Sequence, residues 1–194
     1  MKRKFANESL EFLLIVMNRK LKLDELNRVS VKEFKNQKKL PIIVVLDNIR
    51  SLNNVGSFFR TSDAFNIEAV YLCGITAQPP HREIQKTALG ATESVEWKYF
   101  KTTEQALDTL KEKEFLIYAI EQTENSIYLQ EITYNLEKVA LIFGNEVDGV
   151  GQNVINLSKK SIEIPQFGTK HSFNVSISYG IVLWHFANQT LKKL

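Results

Sequence analysis

From Leu40 onward the chain alternates short β-branched runs with stretches of helical spacing, and this alternation limits the possible folds more than any other feature. Six runs read as strands: IIVVLD (42–47), EAVYLC (68–73), SVEWKYF (94–100), FLIYAIE (115–121), VALIFG (139–144) and SIEIP (161–165). Helices are expected between them over 54–65, 81–89, 103–113 and 151–157, with a long last helix over 173–191. Continuous apolar strands separated by helices belong to a mostly parallel sheet covered on both faces. The class is therefore α/β. In open sheets of this kind ligands bind beyond the carboxyl ends of the strands, so the loops at those ends are where function is sought.

At 194 residues and 44% hydrophobic content, the chain suits one domain with a short appendage. The boundary is expected near NQKKLP, which separates a basic helical extension (1–39) from the domain proper (40–194). The extension holds eleven Lys/Arg against five Asp/Glu, a surplus of six, while the remainder holds 14 against 17. An anionic partner such as nucleic acid and a solvated helical face fit this distribution equally well. Leu10, Leu13, Leu14, Met17 and Leu21 recur on one helical face. Glu11 interrupts the apolar run and no small-residue cleavage site follows, so a cytoplasmic protein without a membrane segment is expected. Cys73, the single cysteine, ends a strand and reads as a core residue of a protein in a reducing compartment.

Three strand-end loops carry unusual residues. In NNVGSFFRTSDAF, Asn54 suits a helix N-cap, Gly56 admits close approach of a backbone or ligand, and Arg60 follows within the helix. Spacing alone favours Arg60 as an exposed surface charge. In LIFGNEVDGVG, a buried strand runs into Gly144, Asn145 and Glu146, and glycines at 149 and 151 suggest a backbone shaped for close contact. Glu146 has two bland readings there, a helix cap or a partner for a nearby arginine. In EIPQFGTKHSFNVS, Ser172 and Asn174 stand at the start of the last helix, where Ser172 suits an N-cap. Phe173, Ile177, Ile181, Trp184 and Leu191 form an apolar stripe that reads as packing. No metal-ligand cluster and no G-x-G-x-x-G pattern is present.

Together and in this order the three loops resemble the signature motifs of the SpoU (TrmH) family of SPOUT RNA methyltransferases. Asn54, Gly56 and Arg60 match the first motif, Phe143 to Gly149 the second, and Ile164-Pro165, Gly168, Ser172 and Asn174 the third. Ser62 stands where alanine is usual, and Asn66 where glycine ends the first-motif helix. Asparagine is the next best residue for a left-handed helix end, so that exchange is tolerable.

The resemblance implies a carboxy-terminal deep trefoil knot and transfer of a methyl group from S-adenosylmethionine to a ribose 2′-hydroxyl of RNA. It places the cofactor against Ile120, Glu121, Gly144, Ile164, Ser172 and Phe173. It assigns the chemistry to Arg60 with Asn54, Glu146, Ser172 and Asn174: Arg60 would stabilise the developing alkoxide, the asparagines would orient arginine and ribose, and Glu146 would pair with a positive group. It also implies a homodimer whose active site draws on both subunits, with the apolar stripe of the last helix as a candidate part of the interface. The segment PPHREIQKTALGA inclines the RNA toward tRNA, with a D-loop guanosine favoured and rRNA as the alternative. Two other classes compete: a non-catalytic RNA-binding or assembly factor on the same fold, and an unrelated nucleotide-binding enzyme, which would need a phosphate-gripping motif that the sequence lacks.

Overall fold

The computed structural model describes residues 19–191. Two compact units divide between Ser30 and Val31. The described part of the first is a short 3-10 turn, Leu23–Leu26, beside an Arg19–Glu25 ion pair at 2.5 Å. Four members of the predicted amino-terminal stripe lie outside the described residues, and the fifth, Leu21, is exposed and outside any helix.

The second unit begins with helix α1 (Val31–Asn36), before the boundary expected at 39/40. Phe34 on this helix is buried in the main core. Lys39 lies over its ring and donates hydrogen bonds of 2.6 Å to the Phe34 carbonyl and the Asn66 side chain. The linker is thereby pinned to the domain.

Strands β1 (Leu40–Asp47), β2 (Ile67–Cys73), β3 (Trp97–Phe100), β4 (Leu116–Ile120), β5 (Ile127–Tyr128), β6 (Val139–Gly144) and β7 (Lys160–Glu163) form one seven-stranded sheet in the order β3-β2-β1-β6-β4-β7-β5. Every strand pairing is parallel. Alternate residues of β1 serve opposite faces, as the pleat requires. Ile42, Val44 and Leu46 join one core, Ile43 and Val45 the other. The first core packs helices α2 (Leu52–Ala64), α3 (Arg82–Ala88), α4 (Ala91–Ser94) and α7 (Val175–Leu191), and the second packs α5 (Thr103–Glu112) and α6 (Gln152–Leu157). This is the expected α/β architecture with helices on both faces.

Local differences have local causes. Ser94, expected to open the third strand, instead ends a helical turn over 91–94, where its hydroxyl donates to Asp63 on α2. The strand predicted over 161–165 stops at Glu163, short of Pro165, which has no N–H for a ladder. Ser51, not Asn54, caps α2, accepting from the Asn54 amide at 3.3 Å. Asn66 adopts φ 51°, the left-handed conformation expected of it. Cys73 is buried and its thiol is pushed up to about 12, mainly by burial, so it stays protonated and inert near neutrality.

Ser62 is explained by its partner. Its hydroxyl donates to the Phe58 carbonyl at 2.7 Å, so the contact of 2.8 Å to Tyr179 is donated by the tyrosine. Tyr179 is fully buried and stacks on Phe58 with ring centroids 4.4 Å apart. Ser62→Ala should cost about 1–3 kcal/mol by stranding that buried hydroxyl, and adding Tyr179→Phe should recover most of the loss. Denaturant unfolding of both variants checks this, and a stable single variant would show that the pair does not matter.

Candidate active site

At the carboxyl end of the sheet a cavity of about 510 Å³ opens between the loops that follow β4, β6 and β7. That size suits a nucleoside-sized ligand. All six residues expected to meet the cofactor, Ile120, Glu121, Gly144, Ile164, Ser172 and Phe173, line it. Its walls carry four carboxylates, Glu121, Glu146, Asp148 and Glu163, and among the described residues no Lys, Arg or His. A site of this polarity favours a cationic ligand and rejects a polyphosphate.

The glycines differ in purpose. A Cβ on Gly144 would lie 1.9 Å from the carbonyl carbon of Gly149, so the loop can fold back on the strand end only with glycine there. Gly149 itself has φ 66°. Gly56, by contrast, serves helix packing: a Cβ there would meet the Ile84 carbonyl at 2.3 Å and Thr87 Oγ1 at 2.1 Å, both on α3.

Three predicted polar residues are joined in one directional chain. Asn174 Nδ2 donates to Asn54 Oδ1 at 3.3 Å, and Asn54 Nδ2 donates to a carboxylate oxygen of Glu146. Each residue comes from a different one of the three loops. Asn54 is buried, so its amide orientation is set by these two partners. The partner of Glu146 is an amide, not the positive group expected. Asn174, not Ser172, starts the last helix: its Oδ1 accepts from the Ser176 N–H at 2.9 Å and the Ser176 hydroxyl at 2.7 Å. Ser172 lies on the cavity wall.

Arg60 stands apart. It is exposed on α2, outside the cavity lining, and among the described residues it has neither an ion pair nor a hydrogen bond. The second-loop acid with an arginine partner is Asp148, 3.5 Å from Arg50.

The stripe on α7 is not packed within its own chain. Val175, Tyr179, Val182, Leu183, Phe186 and Ala187 form the buried face, whereas Ile177, Ile181 and Trp184 are 55%, 37% and 52% exposed. Phe173 is exposed as well, at 41%. The second apolar face lies beside α2, where the Phe65 and Trp184 rings are 6.2 Å apart.

The parallel sheet and the acidic, glycine-walled cavity at its carboxyl end define an α/β protein built to hold a small cationic ligand. Residues 41–184 match the SpoU rRNA Methylase family, and the chain belongs to it. Among its relatives, tRNA (guanosine(18)-2′-O)-methyltransferase of Thermus thermophilus is 27% identical over 168 residues, covering 87% of this chain and 85% of the relative. The 23S rRNA (guanosine-2′-O-)-methyltransferase RlmB of Neisseria meningitidis is 29% identical, covering 86% and 66%. In three dimensions the A. aeolicus TrmH/SpoU tRNA modifying enzyme matches with a TM-score of 0.75 at 26% identity, covering 84% of this chain and 82% of that one. The AdoMet-bound rRNA methyltransferase from Sinorhizobium meliloti matches at 0.70 with 25% identity, covering 81% and 60%.

Two features lay beyond sequence reasoning. β5 has two residues, too few to show a period. Asp47 reads as an ordinary strand-end residue, yet it is buried and accepts from Thr103 Oγ1 at 2.6 Å, 56 residues away.

Proposed function

We propose that the chain uses S-adenosylmethionine to methylate a ribose 2′-hydroxyl of tRNA, with a D-loop guanosine as the favoured target. The observation that carries this reading is the cavity, whose carboxylates and apolar walls suit a sulfonium cofactor and whose lining residue Glu146 is tied to Asn54 of the first family loop and through it to Asn174 of the third. Ile120, Glu121, Gly144, Ile164, Ser172 and Phe173 would hold the cofactor, largely through backbone groups. Bound there, S-adenosylmethionine supplies an electrophilic methyl group on a positively charged sulfur.

The chain's residues align the attacking oxygen and stabilise the charge that develops on it. A guanidinium keeps its proton at any working pH, so Arg60 acts not as a simple base but as an electrostatic stabiliser that also grips an RNA phosphate, and that phosphate takes the proton leaving the hydroxyl. The amides of Asn54 and Asn174 are committed to each other and to Glu146, which supports a role in holding the three loops in register. Arg60 lies off the cavity lining of its own chain, and the uncovered face of α7 stands beside α2. A homodimer joined through Ile177, Ile181 and Trp184 would make the active site composite, with Arg60 serving the partner's cavity.

The knot is supported by the strand order. β7 is inserted between β4 and β5 although it follows both, so the segment linking those two strands must pass around it. No described helix is long and apolar enough to cross a membrane, in keeping with a cytoplasmic enzyme. A second reading, methylation of rRNA, is favoured by the 29% identity to the 23S rRNA enzyme. The non-catalytic alternative predicts no cofactor binding.

Calorimetry with S-adenosylmethionine, followed by transfer of labelled methyl to unfractionated RNA, tests the proposal. The expected product has one linkage resistant to alkali, because a methylated 2′-oxygen cannot attack its phosphate. Absence of both cofactor binding and transfer would refute it.

A further inference from the structure

The loop after β6 forms one wall of the cavity, and every backbone N–H from 147 to 151 is taken by the protein itself. Asn145 Oδ1 accepts from Val147 and Asp148, both at 3.0 Å, and the Asn145 carbonyl accepts from Gly149 at 3.0 Å. The next two N–H groups go to carboxylates from two different strand ends. Val150 donates to Glu121 Oε2 at 3.0 Å, and Gly151 donates to Asp47 Oδ2 at 3.0 Å.

Both carboxylates are themselves anchored. Asp47 is 3% exposed, and its other oxygen accepts from Thr103 Oγ1 at 2.6 Å and Asn48 Nδ2 at 2.8 Å. Glu121 Oε1 accepts from the Gln122 N–H at 2.9 Å. A buried carboxylate satisfied by three donors and no cation is costly to desolvate, and it is retained where it fixes a geometry. Asp47 is paired in register with Gly144, the strand end from which the loop departs.

We infer that Asp47 and Glu121 are a pair of positioning residues that clamp consecutive peptide groups of this loop and give the cavity wall its acceptor character. With the N–H groups of 147–151 already taken, this stretch of the wall presents its carbonyls and carboxylates to a ligand and withholds its backbone donors. It therefore selects ligands that carry hydrogen-bond donors and positive charge. This inference rests on the cofactor reading above and assigns Asp47, which belongs to none of the three family loops, to cofactor specificity.

The test is steady-state kinetics and hydrogen exchange on Asp47→Ala, Glu121→Ala and the double variant. Asp47→Ala, away from the cavity lining, should raise the cofactor KM about tenfold, with kcat at saturating cofactor and the RNA KM within about twofold, and Glu121→Ala, which also removes a cavity carboxylate, should raise the cofactor KM by at least as much. Because both carboxylates hold one loop, the double variant should fall well short of the product of the singles. Asp47→Asn keeps a carbonyl oxygen for the Gly151 N–H and should recover most of the affinity, whereas Glu121→Gln should restore slow exchange at Val150 but lose the affinity that its charge supplies to the cavity; both remain readable if the alanine variants fold poorly. Amide exchange at Val150 and Gly151 should accelerate in the alanine variants, with or without cofactor. An unchanged cofactor KM, a loss confined to kcat, or effects that multiply would overturn the inference. If the wild type bound no S-adenosylmethionine, the cofactor reading would fail, while amide exchange would still report on the clamp.

Discussion

Arg60→Lys should lower methyl transfer by about a hundredfold or more while leaving the affinity for S-adenosylmethionine unchanged, as expected when one donor to a developing oxyanion is lost. Lysine preserves the positive charge but loses the planar fork that can meet an alkoxide and a phosphate together. Arg60 does not line the cavity of its own chain, and its proposed partners are the ribose oxygen and a phosphate of the RNA, so cofactor affinity should stand without it. Single-turnover rates and calorimetry on the same preparation separate the two effects. Equal rates in the variant would sink the stabiliser role.

The second large effect concerns α7. A helix that is apolar on two sides needs a second surface to cover it, because exposed faces of this kind are otherwise left polar. Replacing Ile181 and Trp184 together by glutamate puts two carboxylates into the uncovered face, next to Ile177. Sedimentation should then change from a dimer to a monomer. Transfer should be lost while cofactor binding persists, because one chain supplies all six residues expected to hold the cofactor. A composite site makes a further demand. Mixing Arg60→Ala chains with chains disabled in the cavity by Gly144→Val should restore activity, since one site of the mixed dimer receives an intact arginine and an intact cavity. If Arg60 acts within its own chain, the mixture stays inactive. A monomer with full activity would contradict the dimer proposal outright.

Much of the architecture was legible because burial on both faces leaves a continuous apolar record in each long strand. IIVVLD and VALIFG became neighbouring central strands, all of whose apolar residues are buried. Asn66 announced its left-handed turn because few other side chains tolerate it. The stripe on α7 was read correctly as apolar, but its residues are left uncovered by their own chain. Periodicity marks which residues share a face but not what covers it.

The loops were legible as a set and not singly. Their chemistry depends on contacts between residues 92 and 120 positions apart, Asn54 with Glu146 and with Asn174, which no local pattern reveals. Ser62 looked like a small departure until Tyr179, 117 residues on, supplied its reason. Asp47 left no signal because an aspartate at a strand end is common, and only the fold brings it to Gly151.

The most direct test is to incubate the protein and S-adenosylmethionine with total RNA from cells lacking its gene, and to map the modified nucleotide by mass spectrometry. The predicted result is a single 2′-O-methylated guanosine in the D-loop of tRNA. A single site in 23S rRNA would move the substrate to the alternative reading and leave the chemistry intact. Methyl groups found on a base, or no methylated nucleotide at all, would contradict ribose methylation by this chain.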